Sequence, residues 1–190
     1  MEIDLRTQLR SYLGVYEWEL LPHFRRLVRR GTKCFDIGGR DGYDALMMAS
    51  LSRDRVVSFD CDHLETEKMR RTFALNPGLS IKVVEAFVGS RTDDNGMITI
   101  DEAVASLFVP GFIKMDIEGA EADALEGAVI TMRDHHPGVI IEVHGEDQER
   151  RCIAILRELQ YKIDVVNPSR FFVDTFRSGY NRWIVAAPSR

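Results

Sequence analysis

Hydrophobic and polar positions change rhythm along the chain. Leu20, Leu21, Phe24, Leu27 and Val28 recur at helical spacing, and Arg29 and Arg30 precede Gly31. The first periodic stretch therefore reads as a helix with a cationic last turn and a glycine stop. Beyond it the apolar positions gather into short runs. One ends at Asp36, and Val56–Phe59, Ile81–Glu85, Ile113–Ile117, Val139–His144, Tyr161–Val166 and Trp183–Ala187 follow. Runs of this length, rich in Val, Ile and Phe, predict strands. Helical patterns fill the intervals: Ala45–Leu51 with Met47 and Met48 as core filler, Leu64–Leu75, a long helix entered through Glu118-Gly119-Ala120-Glu121, and Asp147–Leu159. Asn76-Pro77-Gly78 stops the second of these.

Strands alternating with helices predict an α/β fold, with a doubly wound, largely parallel sheet covered on both faces. The last two strands have no helix between them, which predicts an antiparallel hairpin at one edge. Val88–Gly96 is polar and turn-rich and reads as a surface loop. Asn167–Arg182, carrying Phe171, Phe172, Phe176 and Tyr180, joins the last two strands.

At 190 residues the chain is expected to form one domain with a proper core. A hydrophobic content of 45% and a charged content of 29% fit a soluble globular protein. The formal charge of −5 argues against a broad nucleic-acid footprint, so no nucleic-acid partner is expected. No apolar run is long enough to span a bilayer, and Met1-Glu2-Ile3-Asp4 lacks the regions of a signal peptide. Cys34, Cys61 and Cys152 lie far apart and form no metal spacing. A cytoplasmic, reduced protein without a bound metal is the expectation.

The candidate chemistry begins where the first strand ends. Asp36-Ile37-Gly38-Gly39-Arg40-Asp41-Gly42-Tyr43 has the form D-x-G-x-x-x-G, with Gly38, Gly39 and Gly42 allowing a close backbone approach to a ligand. The dinucleotide fingerprint G-x-G-x-x-G seats a pyrophosphate on bare N–H groups, away from anions. Asp36 places a carboxylate there instead, which suits a cationic ligand. S-adenosyl-L-methionine carries a sulfonium and an ammonium. A glycine turn between strand and helix is also ordinary structural punctuation.

Asp60 ends the second strand, about 20 residues beyond the glycine turn, where nucleotide-binding α/β folds keep a carboxylate for a ribose diol. Asp62 with Glu65 reads as a helix cap. Glu85, Ala86 and Phe87, after the third strand, are placed to line an adenine pocket. Asp116 ends the fourth strand, while Glu118 and Glu121 can favour the next helix's N-terminal dipole. Lys114 and Asp116 share one face of their strand, and Glu142 and His144 share one face of theirs. If the strands are neighbours, four polar residues cluster in an apolar sheet, with Lys114 and Glu142 as a buried ion pair at matching depth.

These residues resemble the FkbM-type S-adenosylmethionine-dependent methyltransferases. That family shows D-x-G-A-N-x-G-Y, F-E-P-D, I-K-x-D-x-E-G-A-E and E-V-H. The chain has Asp36 to Tyr43, Phe59-Asp60-Cys61-Asp62, Ile113-Lys114-Met115-Asp116-Ile117-Glu118-Gly119-Ala120-Glu121 and Glu142-Val143-His144. The likeness covers roughly residues 31–166, and its most specific part is the I-K-x-D-x-E-G-A-E run. It implies the Rossmann-like class I methyltransferase sheet with strand order 3-2-1-4-5-7-6. The helical segment 1–30 then precedes a methyltransferase domain over 31–190. The cofactor implied is S-adenosyl-L-methionine, held by Asp36, Gly38, Gly39, Gly42, Asp60, Cys61, Glu85, Ala86 and Asp116. The acceptor implied is a hydroxyl on a small molecule, sugar or lipid. Gly39-Arg40 stands where the family has Ala-Asn, Asp41 replaces an apolar residue, Asp60 replaces Glu, and Cys61 replaces Pro.

Methyl transfer needs acceptor, methyl and sulfur in line, water excluded, and a base within reach of the hydroxyl. His144 is expected to take the proton, Asp116 to orient the ring or bind the hydroxyl, and Glu118 to line the entrance. Two other functions use the same scaffold: a non-catalytic S-adenosylmethionine-binding module, and a NAD-dependent oxidoreductase, which Asp36 and the glycine spacing disfavour.

Overall fold

The computed structural model describes residues 17–94, 96–168 and 180–188. A short 3₁₀ turn (Trp18–Leu20) leads into helix α1 (Leu21–Leu27), with Pro22 in the first turn, where its missing N–H leaves no bond unmade. Then follow β1 (Cys34–Ile37), α2 (Tyr43–Ser52), β2 (Val56–Asp60), α3 (His63–Ala74) and β3 (Ile81–Glu85). A small insertion carries β4 (Phe87–Val88), β5 (Met97–Ile98) and α4 (Ile100–Ser106). The second half contains β6 (Phe112–Met115), α5 (Glu121–Glu126), α6 (Val129–His135), β7 (Gly138–His144), α7 (Glu146–Glu158), β8 (Tyr161–Val166) and β9 (Asn181–Pro188).

Seven of the strands form one sheet in the order β3-β2-β1-β6-β7-β9-β8. The five strands from β3 to β7 pair in parallel, and β9 runs antiparallel between β7 and β8. This is the doubly wound sheet with an antiparallel edge that the patterning predicts. Alternate residues feed two cores. Phe35, Phe59, Ile113 and Ile141 face Leu125, Met132 and Leu156 on one side. Cys34, Val56, Phe112, Ile140 and Trp183 face Leu20, Phe24 and Met48 on the other. Among the described residues no helix is long and apolar enough to cross a membrane.

Four expectations change in detail. Val88–Gly96 is not loop throughout, because buried Val88 belongs to β4, which pairs in parallel with β5. Helix α4 has no counterpart in the apolar pattern. Its signal is the Thr99-Ile100-Asp101-Glu102 box, in which the Thr99 hydroxyl accepts from Glu102 N at 3.1 Å. The long helix expected from Glu121 is two helices. A β-carbon at Gly127 would collide with the backbone carbonyl of Gly89, so the chain bends there. Asp101 then caps the second helix by accepting from the N–H groups of Ile130 (3.1 Å) and Thr131 (2.7 Å). Finally, β6 begins at Phe112 and its regular pairing ends at Met115, although Asp116 N still donates to Ile37 O at 2.9 Å. Phe171, Phe172 and Phe176 lie outside the described residues, and Asn181 and Arg182 belong to β9.

Candidate active site

The carboxyl ends of β1, β2, β6 and β7 bring the polar residues together, the place where open α/β sheets bind ligands. Gly38 follows β1 with φ 84°, and a β-carbon there would run into the Asp116 carbonyl. Its N–H and that of Gly39 both donate to Phe59 O, at 2.8 and 2.9 Å. Gly39 cannot carry a side chain either, because Ser58 Oγ and Met69 Sδ fill that space. Here lies the reason this chain has Gly where the resembled pattern has Ala. Arg40 adopts φ 48° and donates its N–H to Asp60 Oδ2 at 2.8 Å. Asp60 Oδ1 accepts from Asp62 N at 2.9 Å, so this carboxylate anchors the glycine loop. Asp62 caps α3 through Leu64 N, as expected.

Below the loop, a polar row crosses the sheet. Ser58, Asp36 and Lys114 are register partners on β2, β1 and β6, and all three are buried. Ser58 Oγ donates to Asp36 Oδ2 at 2.7 Å. Lys114, 1% exposed, sets its Nζ 3.5 Å from Asp44 Oδ2 and 3.9 Å from Asp116 Oδ2. Burial works against that ammonium, but Glu17, Asp116, Asp44 and Glu142 together hold its pKa well above the usual lysine range. The acids show the converse. Burial, reinforced by Asp44, pushes the Asp36 carboxyl up to about 7. Burial takes Asp116 to about 6 against the pull of Lys114. Burial likewise raises Asp44, and raises Glu17 strongly. Five acids thus surround one lysine.

Glu142 is not Lys114's register partner. Lys114 lies opposite Ile140, and Met115 opposite Ile141, so the next pair along brings Glu142 level with Asp116. The matching depth expected of Lys114 and Glu142 is therefore not found, although the Glu142 charge still acts on the Lys114 ammonium. Lys114 turns to Asp44 on α2, and Glu142 accepts from Asn181 Nδ2 (2.5 Å) and Trp183 Nε1 (3.0 Å) on β9.

At the strand ends, His144 Nε2 lies 3.6 Å from both Asp116 Oδ1 and Glu118 Oε2. Its Nδ1 is 2.7 Å from Glu121 Oε1. Burial disfavours the imidazolium, yet the Glu121 hydrogen bond and the charges of Asp116, Glu121 and Glu118 raise it to about 9. That is well above the ordinary histidine range. Glu118 is held at φ 53° with its side chain 83% exposed, at the mouth of the cluster. Asp116, Glu142 and His144 offer donor atoms within 4.8 Å of one another, and the positive charge facing them is Lys114's.

The candidate cofactor residues divide into two groups. Asp36, Gly38, Gly39, Gly42, Asp60 and Asp116 lie at the carboxyl ends of β1, β2 and β6 or in the turns that follow them. Glu85 is level with Asp60 on the neighbouring strand, but its carboxylate engages His63 Nδ1 and Thr66 Oγ1, both at 2.9 Å. Ala86 donates its N–H to Asp60 O at 2.9 Å, and Cys61 is exposed beside it. Sequence patterning missed Glu17, Asp44 and Ser58 altogether and read Glu121 as a helix-dipole residue. Only Asp44 left a signal, an acid in the first turn after the glycine loop.

Residues 36–163 match the family described as Methyltransferase FkbM domain. Solved structures share the fold. A methyltransferase FkbM from Methylobacillus flagellatus KT is 21% identical with a TM-score of 0.63, over 94% of this chain and 53% of that one, so the chain spans about half of that relative's length. A SAM-dependent O-methyltransferase from Thermotoga maritima is 13% identical with a TM-score of 0.66, over 99% and 72%. A Streptococcus mutans protein in complex with SAH is 13% identical with a TM-score of 0.62, over 89% and 96%. No curated protein matches the sequence.

Proposed function

Because the chain belongs to the FkbM methyltransferase family, we propose that it transfers a methyl group from S-adenosyl-L-methionine to a hydroxyl oxygen of a small molecule, sugar or lipid. The observation that carries this reading is the excess of buried and half-buried acid around Lys114 at the strand ends. Glu17, Asp36, Asp44, Asp116 and Glu142 outnumber the one ammonium they share. Burial raises the carboxyls of Asp36, Asp116, Asp44 and Glu17, a shift that an incoming cation would offset. The cofactor supplies a methyl group already activated on a cationic sulfur. The glycine loop gives close backbone approach, Asp36 and Asp116 face the positive charge, and Asp60 takes the ribose hydroxyls. His144 removes the acceptor's proton at Nε2, with Asp116 steering the hydroxyl and Glu118 at the entrance. The direct test is transfer of labelled methyl from S-adenosyl-L-methionine to a panel of hydroxylated small molecules, sugars and lipids. Label found only on nitrogen or carbon would refute O-methylation, and tight cofactor binding with no transfer to any acceptor would favour a binding module.

Two binding results are expected. Asp60→Ala should weaken S-adenosylhomocysteine by about 1.5–3 kcal/mol, the scale of charge-assisted hydrogen bonds. Its two oxygens already brace Arg40 N and Asp62 N, so the loss includes a loosened loop. Unchanged affinity in calorimetry with the fold intact would take Asp60 out of the site.

The second result concerns pH. Between pH 5.5 and 7.5, Asp36 (about 7) and Asp116 (about 6) lose protons, while His144 (about 9) stays charged. The pocket therefore becomes more negative as pH rises. S-adenosyl-L-methionine should bind about tenfold tighter at the upper end, with a smaller change for S-adenosylhomocysteine, which lacks the sulfonium charge. Titrations showing flat or falling affinity would contradict the electrostatic match.

A further inference from the structure

Glu121 opens α5 with its side chain inside the protein, at 0% exposure. A carboxylate there is costly unless its oxygens are engaged. Oε1 accepts from Gly119 N at 2.9 Å and lies 2.7 Å from His144 Nδ1, while Oε2 is buried with no hydrogen-bond partner among the described residues. The turn that presents this carboxylate is fixed in place. Glu118 and Gly119 take φ values of 53° and 102°, and Gln148 of α7 ties Gly119 to Ala122. Its Nε2 donates to Gly119 O at 2.6 Å, and its Oε1 accepts from Ala122 N at 3.0 Å. Helix-dipole compensation alone does not account for this, since the carboxylate turns back to the turn and the histidine rather than outward.

A carboxylate against Nδ1 requires a proton on that nitrogen in both states of the ring. The neutral ring then carries its lone pair at Nε2, the atom that faces Asp116 and Glu118 at 3.6 Å. We propose that Glu121 is a positioning residue, which fixes His144 in the Nδ1–H tautomer and directs its basic nitrogen into the cleft. The proposal rests on the reading of His144 as the proton acceptor, and it assigns to Glu121 the orienting role that sequence gave to Asp116.

The test is read without an acceptor, so it stands apart from the outcome of any turnover assay. The five histidines are labelled with ¹⁵N, His144 is assigned by a His144→Gln variant, and ring nitrogens are followed against pH. The wild-type ring should titrate well above ordinary histidine and show the Nδ1–H tautomer when neutral. Glu121→Gln keeps an acceptor oxygen of similar size, so the tautomer should persist while the midpoint falls by about 1–2 pH units. Glu121→Ala should release a mixture of tautomers. If the alanine variant does not fold, the glutamine variant decides alone. An unmoved midpoint in folded Glu121→Gln, or an Nε2–H tautomer in the wild type, would overturn the assignment.

Discussion

Replacing His144 with alanine is expected to slow methyl transfer by about 10²–10⁴-fold while S-adenosylhomocysteine affinity changes little. The ring lies at the end of β7, and its Nε2 points to the two acids at the mouth of the cluster rather than to the polar row beneath. In the proposed role, its removal takes away the proton acceptor and leaves the glycine loop and Asp60 in place. The pH profile adds a second reading. An imidazolium cannot accept a proton, so the wild-type rate should climb as pH rises toward about 9, and that limb should vanish in the variant. A variant that turns over at the parental rate would show that the hydroxyl loses its proton elsewhere. Joint loss of cofactor affinity and stability would make His144 structural.

Lys114→Met should destabilise the protein by about 3–5 kcal/mol at pH 8, the range for removing one partner from a buried ionic cluster. Methionine matches the stem in length, so the loss is that of charge rather than volume. Asp44 and Asp116, whose oxygens lie 3.5 and 3.9 Å from Nζ, would then face one another and Glu142 with only the His144 imidazolium, 3.6 Å from Asp116, to offset them. The sign of the pH dependence follows from the acids. A carboxyl whose folded pKa is raised, such as Asp36 at about 7, favours the folded state when protonated, and that contribution is lost as pH rises through the folded value. Without Lys114 the acids shift further in the same direction. The penalty measured in urea should therefore shrink from pH 8 to pH 5. Equal penalties at the two pH values would show that the acids do not depend on this ammonium.

The sheet was legible because the period of apolar residues changes wherever an element changes, and because βαβ geometry admits few arrangements of such a string. Position along the chain also placed Asp36, Asp60, Asp116 and His144 at strand ends, and strand ends on one edge converge. Pairing was harder. Whether Lys114 meets Glu142 depends on the stagger between β6 and β7, and two residues of register separate the expected pair from the observed one. No pattern in a single sequence fixes that stagger. Glu121 does sit in the first turn of α5, so its local reading is adequate as far as it goes, but its distant partner His144 appears only when α5 is laid beside β7. Glu17 lies outside every motif, and its place beside Lys114 is set by how the 3₁₀ turn ahead of α1 enters the fold.

The contact between Gly39 and Ser58 constrains how this site can evolve. The hydroxyl at 58 occupies the space that a methyl at 39 would need, and the same hydroxyl holds Asp36. An ancestor or descendant with alanine at 39 must first give up the serine, and with it the hydrogen bond to the buried Asp36 carboxylate. Either substitution made alone passes through a poorer intermediate, so the two positions behave as one heritable unit with strong epistasis.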